Sequence, residues 1–303
     1  MKKLLPLISL LIISSSVLAQ PINRLSNYYY NQIYFNPGAT GMFDQELNVS
    51  LLNAFQWVGV NGAPMKTVAW ADFKSRESGL SCAVLFDRMS FGASKRVGAY
   101  INPGYSMLLG YKLRLSVGLR VGFEQLNFNP SGLTNVFDEN DEILGTNSIR
   151  QSFTKVGAGI QLRSDKFHIG ISSADLFRGD KNNYYNPDTS GFLGTPRNYV
   201  ANVDYRIKIS DSYAFVPMAI AYAYKGREMV AGGGFMFEIQ DYFWAGINAY
   251  SNKIANLSLG THISSRIRFV YSYEMTFNKT LPSNLGSHEI NLLYRMDKIV
   301  KKK

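Results

Sequence analysis

The chain of 303 residues carries 32 lysines and arginines against 22 aspartates and glutamates, and a single cysteine, Cys82. One cysteine excludes an intramolecular disulfide framework, and basic residues scattered among acidic ones give no nucleic-acid groove, so no nucleic-acid partner is expected. Aromatics make up 14% of the residues and glycine contributes 26, with no long apolar segment beyond the amino terminus, which excludes a helical membrane protein and suits strands with two unlike faces.

Met1-Lys2-Lys3, the apolar run Leu4 to Ile13 and Val17-Leu18-Ala19 before Gln20 are the three parts of a secretory signal peptide, residues 1–19. The run is shorter than the roughly 20 residues that span a bilayer, and no cysteine follows to carry a lipid anchor. Residues 20–46 are expected as a periplasmic amino-terminal segment, 47–296 as an outer-membrane barrel, and 297–303 as a basic periplasmic tail holding four lysines.

Alternation with period two predicts fourteen strands, near 47–57, 65–72, 79–87, 97–109, 113–124, 154–163, 166–172, 199–209, 213–224, 228–239, 242–251, 255–263, 266–277 and 288–296. From Leu113 to Glu124 the alternation is unbroken: Leu115, Val117, Leu119 and Val121 are apolar, and Arg114, Ser116, Arg120 and Glu124 are polar. The strands at 65–72 and 213–224 are ambiguous on both faces. Tight connections at Gly110–Lys112, Ser164–Lys166, Ser210–Ser212, Gln240–Asp241 and Ser264–Ser265 alternate with others that include two long insertions, Gln125–Phe153 and Ser173–Asn198. Tight periplasmic turns and longer outer loops are the habit of an outer-membrane barrel, so the predicted fold is an all-β, transmembrane, antiparallel up-and-down barrel with periplasmic termini.

Charges of both signs fall on the polar faces: Arg114, Arg120, Glu124, Arg163, Asp204, Arg206, Arg268, Glu274, Glu289 and Arg295. Each would cost about 2 to 4 kcal/mol against lipid at the midplane, so they are expected to face inward and pair. On this reading Ser116 should accept an arginine and Val117 should not. Phe123, Phe128, Tyr242 and Phe243, near strand ends, are expected in the interfacial girdles. The competing fold is a water-soluble sandwich with the same apolar faces packed on each other. A lumen suits the Gly, Ser and Asn of the polar faces better than an exposed surface does.

Two segments stand out, Tyr28-Tyr29-Tyr30-Asn31-Gln32-Ile33-Tyr34-Phe35-Asn36-Pro37-Gly38-Ala39-Thr40-Gly41 and Gln56-Trp57-Val58-Gly59-Val60-Asn61-Gly62-Ala63-Pro64. They resemble the PorP/SprF family of Bacteroidetes. The family pattern runs Asn-Pro-Ala-x-x-Gly and Gln-Trp-x-Gly-x-x-Gly-Ala-Pro, with Gly38 here in place of Ala. Asp87, Gly170-Ile171-Ser172 and Gly286-Ser287-His288-Glu289-Ile290 also look like family positions. The resemblance implies an outer-membrane component of type IX secretion or the related gliding-motility apparatus. It would help export or anchor adhesin-like surface proteins and contact periplasmic ring or lipoprotein components. The candidate structural or partner-contact residues are Asn36, Pro37, Gly41, Gln56, Trp57, Gly59, Pro64, His288 and Glu289. The first seven of these, from the two motifs, read primarily as shaping the mouth and entry of the barrel, ahead of direct partner contact.

The alternative function is a porin or solute transporter, which shares the architecture and differs in whether the lumen is open. A third, an outer-membrane hydrolase, would need His168, His262 or His288 to converge with Ser and Asp from other strands, and no motif spacing places them so. No catalytic, cofactor or metal residue is therefore expected.

Overall fold

The computed structural model describes residues 24–43, 45–75, 77–129, 148–180, 197–224, 228–240, 242–277 and 284–296. The expected signal peptide, the basic tail and most of both long insertions lie outside the described residues.

Fourteen antiparallel strands close into one ring. They are β1 (Leu47–Phe55), β2 (Met65–Lys74), β3 (Leu80–Phe91), β4 (Ser94–Leu108), β5 (Arg114–Phe128), β6 (Ile149–Arg163) and β7 (Phe167–Asp180). There follow β8 (Asn198–Tyr205, continued past Arg206 by Ile207–Lys208), β9 (Tyr213–Tyr224), β10 (Val230–Ile239), β11 (Phe243–Tyr250), β12 (Ile254–His262), β13 (Ile267–Thr276) and β14 (Ser287–Met296). Each strand pairs with its sequence neighbours, and β14 returns to β1 with Met296 opposite Leu47 and His288 opposite Phe55. Closure leaves no unpaired edge, which a membrane interior requires of a sheet. No described helix is long and apolar enough to cross a membrane.

The outward face is apolar and the inward face is not. On β5, Val117, Leu119, Val121 and Phe123 are 39–56% exposed on the outside, while Ser116, Arg120 and Glu124 are at most 4% exposed within. So much bare apolar surface is the mark of a lipid-facing wall. Cys82 lies half-buried among outward residues of β3, without a disulfide. The tight turns close by short hydrogen bonds, among them Leu109 N–H to Leu113 O at 2.8 Å and Ile263 N–H to Ile267 O at 2.9 Å. They lie at the end where Leu47 and Met296 meet, which by the habit of such barrels faces the periplasm.

Two expectations shift. The gap expected between residues 87 and 97 is a turn at Gly92-Ala93, because β3 and β4 run on to Phe91 and from Ser94. Phe128, expected in a girdle, points inward and is 3% exposed, packed with Leu126 and Phe153. Alternation carries across β5, so Phe128 shares the inward face of Glu124 and caps a taller wall at the outer end.

The largest buried cluster lies inside the ring and not between layers. Residues 24–43, within the stretch expected at the periplasmic face, fold into three short helical turns (Tyr28–Asn31, Gln32–Phe35, Pro37–Ala39) and fill the lumen. Tyr28, Ile33, Tyr34 and Phe35 pack on inward Leu52, Val68, Trp70, Val216, Ile220 and Tyr222. This explains why β2 and β9 read as apolar on both faces: one meets lipid, the other the aromatic plug.

Candidate functional site

The plug is seated by backbone contact. Asn36 Oδ1 accepts from Gly38 N–H at 2.8 Å and so caps the turn that Pro37 begins, while Asn36 Nδ2 donates to Gln161 Oε1 at 2.8 Å and Ile160 O at 3.1 Å on β6. Opposite lie Gly118 and Gly159, direct cross-strand partners. A Cβ on Gly118 would overlap the Pro37 carbonyl, and a Cβ on Gly38 would meet the Gly159 carbonyl at 2.6 Å. The close approach accounts for Gly38 where the family pattern has alanine.

Charged wall residues hold the rest of the plug. Arg120 donates to Ile33 O at 2.7 Å, Tyr34 O at 2.9 Å and Asn102 Oδ1 at 3.0 Å, satisfying carbonyls that a one-turn helix leaves open. Glu289 accepts the Ser26 and Asn27 amides at 3.0 and 2.8 Å. Arg24 forms an ion pair with Glu274 near the long-loop end, and Gly41, with φ +71°, donates to Asp72 at 2.9 Å farther down. Trp70 donates to Asn31 Oδ1 at 2.9 Å and stacks on Phe43.

Above Tyr34 the lumen holds a buried ion cluster. Lys155 reaches Glu124 at 2.7 Å and Asp175 at 3.1 Å, and Arg96 lies between Asp87 (3.5 Å) and Glu124 (3.7 Å). Tyr34 of the plug donates to Asp87 at 2.9 Å, joining plug and cluster. Such groups are stable away from water only when paired and hydrogen-bonded.

The motif residues fall into two places. Asn36, Pro37 and Gly41 lie in the lumen with Glu289. Gln56, Trp57, Gly59 and Pro64 form the outer β1–β2 connection, where Gln56 N–H bonds Pro64 O at 2.9 Å and Trp57 N–H bonds Ser287 Oγ at 3.2 Å. Trp57 (φ +48°) and Gly59 (φ +95°) both adopt left-handed backbone there. His288, beside this connection, faces outward between Tyr271, bonded at 2.7 Å, and Tyr273. Alternation thus splits the adjacent pair His288-Glu289 between the aromatic outer wall and the plug. Sequence reading missed Arg24, Asp72, Arg96 and Lys155, and marked Asp87 only as a position shared with the family. Parity marked the wall residues as inward, but nothing in the sequence marked what they hold.

At the tight-turn end, beneath the plug, is a cavity of about 550 Å³. At the same end Lys208 donates to Asp211 at 2.7 Å, which holds that exposed carboxyl below its usual range. Among the described residues no group of His, Cys, Asp and Glu is fit to hold a metal. The histidines are dispersed over β7, β12 and β14, each with its own partner: Asp204 for His168, the Tyr242 ring for His262 and Tyr271 for His288.

A closed ring with an apolar outside and charges within defines an outer-membrane β-barrel, here plugged by its own chain. The chain belongs to the PorP/SprF family of type IX secretion system membrane proteins, whose family model matches residues 17–294. Among solved structures it is similar to the CymD monoaromatic hydrocarbon channel, with TM-score 0.50, 12% identity, and 87% of this chain and 92% of that one covered. The P. putida toluene transporter TodX aligns with TM-score 0.47, 7% identity and coverages of 87% and 93%. Omp33 of Acinetobacter baumannii gives 0.43, 8%, 83% and 98%. At these identities the likeness is one of fold. Comparison with curated proteins gives no match.

Proposed function

We propose that the barrel is a non-enzymatic component of the type IX secretion machinery that helps export or anchor adhesin-like proteins at the cell surface. It binds cargo through its long outer connections and machinery components at its periplasmic end. The observation that carries this reading is the filled lumen. Residues 24–43 are tied to β1, β2, β6, β13 and β14 by hydrogen bonds to buried side chains, so the barrel offers both sides of the membrane a closed scaffold. Gln56, Trp57, Gly59, Pro64 and His288 are the proposed contact residues at the outer rim. Asn36, Pro37, Gly41 and Glu289 act by holding the plug.

The test is deletion of the protein followed by surface immunofluorescence of the adhesins, with affinity purification of the tagged barrel and mass spectrometry for partners. Loss of adhesin from the surface and recovery of secretion components are expected. Unchanged display would sink the proposal, and a large steady conductance of the purified barrel would favour the porin reading.

A further inference from the structure

Along β3 to β6 the described residues that face outward are uncharged except for Arg88, Lys95 and Arg150. All three are basic and exposed, and all lie in the last two outward rungs at the long-loop end. The acids of these strands, Asp87 and Glu124, point the other way, into the buried ion cluster of the lumen.

Register sets the three side by side. Lys95 on β4 and Arg150 on β6 both lie opposite Asn127 of β5 and so flank it, about 10 Å apart at the spacing of neighbouring strands. Arg88 on β3 lies opposite Val97, two residues along from Lys95, a diagonal of about 7 to 8 Å. Among the described residues none of the three side chains has an ion pair or a hydrogen bond, and Asn127 Oδ1 between them has no partner either. Like charges gathered in this way repel one another, and no acid on the outward face of these strands offsets it. Height decides what they meet. The outward apolar run of β5 from Leu115 to Phe123 rises about 20 Å at the usual strand tilt, most of the roughly 25 Å apolar band of such barrels. Phe86 and Phe123, both exposed, share the rung directly below Arg88, so the cations stand just above the hydrocarbon, at the level of the headgroups.

The geometry points to Arg88, Lys95 and Arg150 as a binding site for the phosphate-bearing headgroup of an outer-leaflet lipid, whose acyl chains lie down the wall over Phe86, Ile101 and Phe123. The guanidinium forks of Arg88 and Arg150 match phosphate oxygens two at a time, and the Lys95 ammonium adds a point charge between them. A lipid is the occupant because the patch is on the outside of the ring and continuous with bare apolar wall, where acyl chains and headgroup are held together. The site is independent of the secretion reading, since it needs only the lipid-facing wall.

The probe is bisphosphorylated lipid A, titrated against the full-length barrel in a neutral detergent and counted as bound adducts by native mass spectrometry. Saturable binding that weakens as salt is raised is expected, with lipid A stripped of its phosphates and phosphatidylcholine binding about tenfold or more weakly. Arg88→Gln, Lys95→Gln and Arg150→Gln should each weaken it about fivefold, and the triple variant about a hundredfold. Arg88→Lys with Arg150→Lys, which keeps the charge and loses the forks, should fall between wild type and the triple variant. Lys112→Gln, at the tight-turn end, should leave binding unchanged. Gel migration of the folded barrel should be the same for every variant, and the single variants decide the matter should the triple one fail to fold. Absence of a saturable adduct, wild-type binding by the charge-removing variants, equal binding of the phosphate-free lipid, or displacement of the lipid by inorganic phosphate at the same concentration would each overturn the inference. So would hexaglutamate binding more tightly than lipid A, which would mark the patch as a contact for an acidic protein.

Discussion

At Gly118 the wall has no room for a side chain, because a methyl group would take the place of the Pro37 carbonyl. Gly118→Ala must therefore push the Pro37–Ala39 turn off β5 and β6, at a cost of about 1 to 3 kcal/mol by analogy with overpacked cores. The expected outcome is a lower heat-unfolding midpoint and faster hydrogen exchange at the Gly38 and Thr40 amides; unchanged exchange would show that the contact does not hold the turn. Arg120→Met is a complementary loss. It keeps the length of the side chain but strands the carbonyls of Ile33 and Tyr34, costing about 1 to 3 kcal/mol for buried acceptors left unpaired. Faster proteolysis of the amino-terminal segment in the folded barrel would report it, and Arg120→Lys should recover part of the protection. Alternation along β5 made the inward direction of Arg120 legible in the sequence. Its partners were not, because they lie on a segment whose path depends on the whole ring. Phe128 departs from expectation for a simpler reason: the strand expected to end at Glu124 runs on to Phe128, and alternation along the added residues turns that ring inward.

Strands of this barrel were legible wherever lumen and lipid differ most in polarity, as on β5, β6 and β12. They were obscure where the plug makes the inside apolar, as on β2 and β9. The same physics limits what each face accepts. Val117, 39% exposed on the outer wall, should oppose assembly when replaced by arginine, by about 2 to 4 kcal/mol if it lies near the midplane, while Val117→Leu should assemble normally. Heat-modifiable migration on a gel, which separates folded from unfolded barrel, measures both; equal folded fractions for the two variants would argue that the face does not meet lipid. Ser116, expected to accept an arginine on the premise of a wet lumen, is 1% exposed, so the inward face here is packed and not merely wet. Strand ends were the least legible, since β3 to β7 extend past the expected bounds on inward residues such as Leu126 and Phe153 that cover each other.

For the whole molecule, the plug decides between a pore and a scaffold. A ring of fourteen strands with a polar inside would conduct if its lumen held only water. Here residues 24–43 place tyrosines, Phe35 and the Asn36–Ala39 turn across it, and wall residues from opposite sides of the ring, Arg120 on β5 and Glu289 on β14, grip the same segment. Excision of 24–43 should therefore convert a silent barrel into a conducting one. Arg120, Glu289 and Asp72, together with the buried Lys66 of β2, would then line a water-filled path in place of a packed interior. Planar-bilayer recording of the two proteins side by side measures this, with no steady current expected from the intact chain and a stable open level from the excised one. Because the excised barrel loses interior contacts, its folded state is checked first by gel migration. A folded, excised barrel that stays silent would mean that the wall alone closes the lumen, and the intact chain conducting steadily would mean that the plug leaves a path around it.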